Sequence, residues 1–206
     1  MKSVGKKFTL TVVNALPLIL FTATAGADDR SIELDPQAEH NLFRLPLVSN
    51  IKSMGYRVTT SDGDEFDGLT RHALFLDFGL PWTWTGKSGL SATSLLTLEA
   101  GRMTKDSDYR NFLSLGPTLR LTNDRWRKPI FVDVGFSPTV IDGTTYGDTK
   151  LGTSFNFTSH VALGLRFGEN KDHVVKLRYE HISNGGYDDL NPGVNMVGID
   201  FVFWNK

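Results

Sequence analysis

The sequence predicts an all-β chain that closes into an eight-stranded antiparallel transmembrane β-barrel. Three observations predict it. Apolar residues recur at every second position over runs of about 10 residues, the mark of strands with one apolar face and enough length for a tilted membrane crossing. Between these runs lie "SDGDEFDG", "TGKSG", "MTKDSD", "NDRWRKP", "DGTTYGDTK", "GENKDH" and "GGYDDLNPG", all of turn-forming composition. Aromatic side chains gather near the predicted strand ends, at Trp82, Trp84, Tyr109, Trp126 and Trp204, where an interfacial girdle belongs.

Taken in order, the N-terminus reads as a targeting segment. Lys2, Lys6 and Lys7 precede the apolar run "FTLTVVNALPLILFTATA", and Ala25-Gly26-Ala27 forms a small-residue cleavage site. Residues 1–27 are therefore expected to be a secretory signal peptide. Residues 28–49, with "LDPQAEHNLF", fit a short helix or an arm equally well. The barrel domain is expected over 50–206. Its strands fall at about 50–60, 71–84, 91–101, 110–122, 130–140, 153–167, 174–184 and 195–204, by period-two alternation.

The alternation is clearest in three of them. Leu113, Leu115, Leu119 and Leu121 share one face, opposite Ser114, Gly116, Thr118 and Arg120. Val132, Val134, Phe136 and Val140 oppose Asp133, Gly135, Ser137 and Thr139. Phe155, Phe157, Val161, Leu163, Leu165 and Phe167 oppose Asn156, Thr158, His160, Gly164 and Arg166. A face this rich in small and polar residues suits a lumen, whereas a soluble sandwich would turn its apolar face inward. "NMVGIDFVFW", close to the end of the chain, resembles the terminal strand of outer-membrane proteins.

Composition removes several function classes. The chain has no cysteine, which excludes disulfides, thiolate metal sites and a cysteine nucleophile. The formal charge is -1. Loss of the three signal lysines leaves about -4, which does not favour nucleic acid. Neither a phosphate loop nor a G-x-S-x-G elbow is present. "SDGDEFDG" lacks calcium-loop spacing and reads as an acidic external loop. No metal and no cofactor is expected.

One hairpin carries chemistry: "EHISNGGYDDLNPGVN", Glu180 to Asn195. Val175, Leu177 and Tyr179 set odd positions on the lipid face, so His181 and Ser183 continue that face. Val197, Ile199, Phe201 and Phe203 do the same for the next strand, so Asn195 begins it. With the N-terminus periplasmic, the hairpin loop faces the cell exterior, and polar side chains facing lipid there suggest function. Positions i and i+2 on one strand face lie about 6.6 Å apart, within reach of an imidazole–hydroxyl pair. His181 is then the candidate base, Ser183 the nucleophile and Asn195 the group that orients the ring, as Asn does in papain-like proteases. Candidate oxyanion donors are Asn184 and the backbone N–H groups of Gly185 and Gly186.

"HISNGG…NPGVN" resembles the C-terminal signature of the PagL-type lipid A 3-O-deacylases, a family of eight-stranded outer-membrane barrels. The specific match covers about 174–204, and the strand rhythm extends it loosely to 71–204. The resemblance implies an ester hydrolase that removes an acyl chain from lipopolysaccharide, with His181 as base, Ser183 as nucleophile, Asn184 at the oxyanion and Asn191 as the turn asparagine. The family carries Glu where Asn195 stands, and a neutral amide stabilises an imidazolium less than a carboxylate does. The alternative is a non-catalytic structural or adhesive barrel, of the OmpX or opacity-protein type, acting through its external loops. The expected partners are lipopolysaccharide and the outer membrane. A polar group facing lipid is also one that a second copy covers, so a homodimer stays open.

Overall fold

The computed structural model describes residues 50–61, 66–126, 129–169 and 173–205. The expected signal segment, the expected arm and part of the acidic loop, 62–65, lie outside them. Eight strands form the barrel: β1 (Ile51–Thr60), β2 (Thr70–Thr85), β3 (Leu90–Lys105), β4 (Asp108–Asn123), β5 (Ile130–Ile141), β8 (Phe155–Phe167), β9 (His173–Ser183) and β10 (Val194–Asn205). Each pairs antiparallel with its neighbour, and β1 closes on β10. β6 (Thr145–Tyr146) and β7 (Thr149–Lys150) make a small separate hairpin inside "DGTTYGDTK", a segment expected to be turn alone. Closure leaves no open edge among the barrel strands, which is what permits strands to cross lipid.

The alternation sorts the side chains as expected. In β4, Phe112, Ser114, Gly116, Thr118 and Arg120 are buried in the lumen, and Leu113, Leu115 and Leu119 stand exposed on the outside. Val134, Val140, Val161, Leu163, Leu177, Val197 and Phe201 extend this apolar exterior around the barrel. The aromatic residues singled out near the strand ends are all exposed. β2, β3 and β4 each run 16 residues. A tilted crossing needs only about 9–11 residues, so these ladders extend past the hydrocarbon into the flanking polar layers.

The lumen is filled. Arg57 bonds Asp200 at 2.7 Å and also pairs with Glu99; Arg71 meets Glu180 at 2.9 Å; Arg120 and Lys176 both hold Asp133, at 2.8 and 2.9 Å; Arg178 holds Asp200 at 2.9 Å. Buried charges persist only when paired in this way, and removing one partner typically costs roughly 3–5 kcal/mol. The expectation of a uniformly small and polar interior fails at the end where the 61–69, 142–154 and 184–193 loops meet. There Met103, Phe112, Ile141, Ile182, Val194 and Met196 point inward and pack with Phe66, Leu69, Tyr146 and Leu151. An eight-stranded barrel has room for side chains but not for a channel, and apolar groups close this end against water.

That end is the outer one. The strands at the opposite end are joined by only four to six residues each, whereas three of the four connections here are long, and outer-membrane barrels carry their long loops outside.

Candidate active site

β9 carries Tyr179, His181 and Ser183 on its outward face, and β10 carries Asn195 and Val197 on the same wall. Glu180, Ile182 and Met196, the intervening residues, are fully buried on the other side. Glu180 accepts from Arg71 and from Thr59, both bonds within 2.9 Å, and Ile182 with Met196 belongs to the apolar plug. The outward side chains thus stand on a backbone pinned from behind. His181 and Ser183 are half-buried and Asn195 is exposed.

His181 and Asn195 are direct register partners. The imidazole Nδ1 lies 2.8 Å from Asn195 Oδ1. An amide oxygen only accepts, so Nδ1 carries the proton and Nε2 keeps its lone pair. Gly193 sets the room on this side: a Cβ built there would lie 2.9 Å from His181 Cε1. Its φ of 65° is also one that L side chains rarely adopt. The glycine of "NPG" therefore clears space for the ring as well as making the turn. With Asn195 and Gly193 both on the β10 side, the ring leans away from β8.

Ser183 sits two residues further out on the same face, opposite Phe157 of β8. Neither Ser183 Oγ nor His181 Nε2 has a hydrogen-bond partner among the described residues, and the two do not bond each other in this state. A second hydroxyl, overlooked in the sequence, stands close by: Ser159 is His181's register partner on β8 and is exposed. Its parity on β8, shared with Phe157 and Val161, was the available signal. No hydrogen bond joins Ser159 to the imidazole among the described residues, and the ring bonds Asn195 on β10 instead.

The loop residues divide by what their polar groups already do. Asn184 is fully buried. Its Nδ2 donates to Leu190 O at 2.9 Å, its Oδ1 accepts from Gly186 N at 2.8 Å, and its backbone N–H donates to Asn191 Oδ1 at 3.0 Å. Asn184, Gly186 and Asn191 thus staple the loop into one shape. Gly185 is different: its N–H makes no hydrogen bond among the described residues, and a Cβ built there would lie 3.1 Å from the Phe157 ring. Beyond it, Phe157 stacks on Phe136 with ring centroids 5.1 Å apart and on Tyr187 at 6.1 Å, and Phe155 meets Phe157 edge-on at 5.1 Å. Ser183 is flanked by polar groups toward β10 and by an aromatic surface toward β8.

Of the remaining polar residues, His160 is buried in the lumen as its parity predicted, and His173 begins β9 beside Phe167 rather than lying in a loop. An open polar cleft of about 620 Å³ lies between 107–111 and 142–145 and includes none of the hairpin residues.

A closed barrel with a filled lumen, an apolar exterior and a polar cluster on its outer wall defines an outer-membrane barrel. A sequence profile of the family described as "Lipid A 3-O-deacylase (PagL)" matches residues 71–204, and the chain belongs to that family. Lipid A deacylase PagL of Bordetella bronchiseptica is 32% identical over 73 residues, 35% of this chain and 40% of that protein. Lipid A deacylase PagL of Pseudomonas aeruginosa is 34% identical over 69 residues, 34% of this chain and 39% of that protein. These alignments span about two fifths of the relatives' length. The crystal structure of the outer membrane enzyme PagL has a similar fold, with a TM-score of 0.61 at 21% identity, covering 73% of this chain and 97% of that one.

Proposed function

We propose that the chain is a metal-independent serine esterase that removes the 3-O-linked acyl chain from lipid A in the outer leaflet. The observation that carries this reading is the pairing of an imidazole held at Nδ1 by Asn195 with a free Nε2, beside the free Ser183 hydroxyl, on the wall that faces lipid. Such groups in a membrane wall are costly unless used. At this level the outer leaflet presents acyl esters on glucosamine, and the family name supports lipid A as the substrate.

The chemistry follows from the groups present. Rotation about χ1 swings Ser183 Oγ toward His181 Nε2, which takes the hydroxyl proton as Oγ attacks the ester carbonyl. The oxyanion that forms is placed against the unspent Gly185 N–H. Asn184 and Gly186, whose groups hold the loop, act by shaping it. The carbon–oxygen bond to the sugar then breaks and the sugar oxygen takes the proton from Nε2. A water, deprotonated by Nε2, attacks the acyl-serine; the fatty acid leaves and Ser183 recovers its proton. The Phe136–Phe155–Phe157–Tyr187 surface offers the departing chain an apolar bed on the β8 side.

The test is a lipid A mass spectrum from cells with and without the protein. The expected change is the loss of one ester-linked acyl chain, abolished by Ser183→Ala and retained by Ser159→Ala, with both barrels still folded. Unchanged lipid A with the wild-type protein defeats the reading. Activity that survives Ser183→Ala but not Ser159→Ala moves the nucleophile to β8.

A further inference from the structure

Asn195 Oδ1 accepts two hydrogen bonds, not one. Besides His181 Nδ1 at 2.8 Å, it receives the Tyr179 hydroxyl at 2.8 Å. Tyr179 lies two residues before His181 on the same face and reaches Asn195 diagonally, since its direct partner on β10 is Val197. Diagonal pairs are within reach of an aromatic side chain. We infer that Tyr179 is a positioning residue that fixes the tautomer of His181 by holding the Asn195 amide with its oxygen toward the ring.

The argument rests on an asymmetry of the amide. A carboxylate presents the same atom whichever way it turns; an amide presents either an acceptor or a donor. With Oδ1 inward, the ring must carry its proton on Nδ1, and Nε2 is free to take a proton. With Nδ2 inward, Nδ1 must accept, the proton moves to Nε2, and the ring has no lone pair facing the serine. Nothing in the imidazole itself forbids the second state. Tyr179 does so through its own hydroxyl. Its register partners are Val161 and Val197, which offer no side-chain acceptor. If the amide turned over, the phenol oxygen could accept from its N–H, but the phenolic proton would find no acceptor among the register partners, on a wall facing lipid where an unmade hydrogen bond is costly. The tyrosine therefore disfavours the turned amide, and through it the unproductive tautomer.

Its consequence for rate rests on the esterase reading; the tautomer itself is a property of the resting protein and is measured without substrate. The experiment uses the full barrel in detergent, labelled with 15N at histidine, with the His181 signals assigned through His181→Ala. Wild type is expected to show His181 protonated at Nδ1. Tyr179→Phe, which removes one hydroxyl and keeps the ring, is expected to shift a substantial fraction to the Nε2 tautomer. It is also expected to lower kcat about tenfold, the scale of one net hydrogen bond, with KM unchanged. Asn195→Glu combined with Tyr179→Phe should restore the Nδ1 tautomer and remove the dependence of kcat on Tyr179. A purely packing role for the tyrosine predicts no such restoration. An unchanged tautomer in Tyr179→Phe overturns the inference, as does a double variant that keeps the tautomer mixture of Tyr179→Phe. If the wild-type protein hydrolyses no lipid A, the esterase reading fails and the tautomer measurement alone decides the role of Tyr179.

Discussion

At the outer end of the barrel His72 and His181 face outward, each two residues from the end of its strand, and their surroundings differ in one respect that decides what each can do. His72 is near the start of β2, with Thr70 beyond it on the same face; His181 is near the end of β9, with Ser183 beyond it. Both have a tyrosine nearby. At His72 the tyrosine meets the ring itself, with Tyr56 Oη 2.5 Å from Nδ1. A phenol can donate to Nδ1 or accept from it, so this partner leaves both ring tautomers open, and Thr70 Oγ1 is already turned to Gly68 O at 3.3 Å. At His181 the tyrosine meets Asn195 instead, and the amide oxygen, which only accepts, requires the proton on Nδ1. Parity, depth and a neighbouring hydroxyl are therefore not sufficient for a general base. The partner of Nδ1 determines whether the ring can accept a proton from the hydroxyl beside it.

The comparison also shows a shared foundation. Arg71 precedes His72, Glu180 precedes His181, and the two are joined across the lumen at 2.9 Å. Both outward rings thus stand on strands tied by one buried ion pair, so a difference in their behaviour comes from the outer wall and not from unequal support.

The comparison is open to direct attack. The largest expected effect is at His181: replacement by alanine should lower deacylation roughly 10²–10⁴-fold, the usual contribution of a positioned general base, while His72→Ala leaves it unaltered. Lipid A mass spectrometry on matched amounts of folded barrel measures both, and comparable losses at the two positions would erase the distinction. Glu180→Ala should act on the foundation, costing roughly 3–5 kcal/mol of barrel stability by leaving Arg71 without its main partner. Denaturant titration of the detergent-solubilised barrel reads that change. Smaller again is Gly193→Ala, whose Cβ would press on His181 Cε1 and occupy an unfavourable φ. Stability should fall by roughly 1–2 kcal/mol, and kcat more steeply than His72→Ala, since small displacements of a catalytic group are costly.

Much of this was legible in the sequence, because a barrel strand writes its two faces at alternate positions. Val175, Leu177 and Tyr179 pointed outward by parity and carried His181 and Ser183 with them; Val197 and Ile199 did the same for Asn195. Two things escaped. The apolar outer lumen, with Ile182, Val194 and Met196, was hidden because apolar residues there occupy both parities and alternation fades. Tyr179 reads in the sequence as one more lipid-facing position, since periodicity records the direction of a side chain and says nothing of the partner its hydroxyl selects. Asn184 is expected at the oxyanion, and nothing in the sequence shows which of its groups the loop uses. Within a ten-residue loop, only coordinates reveal that its amide is already committed to Leu190 and Gly186.

The packed cap of Phe66, Leu69, Met103, Phe112 and Ile182 has a kinetic corollary. On the proposed function, with the bore stoppered and Ser183 on the outer wall, a glycolipid reaches the hairpin by two-dimensional diffusion in the leaflet it already occupies. Turnover should then follow the mole fraction of substrate within the film and not its molarity in the flask. Adding inert surfactant at fixed total lipopolysaccharide should slow the reaction, whereas diluting micelles of fixed composition with buffer should leave the rate per molecule of protein nearly constant.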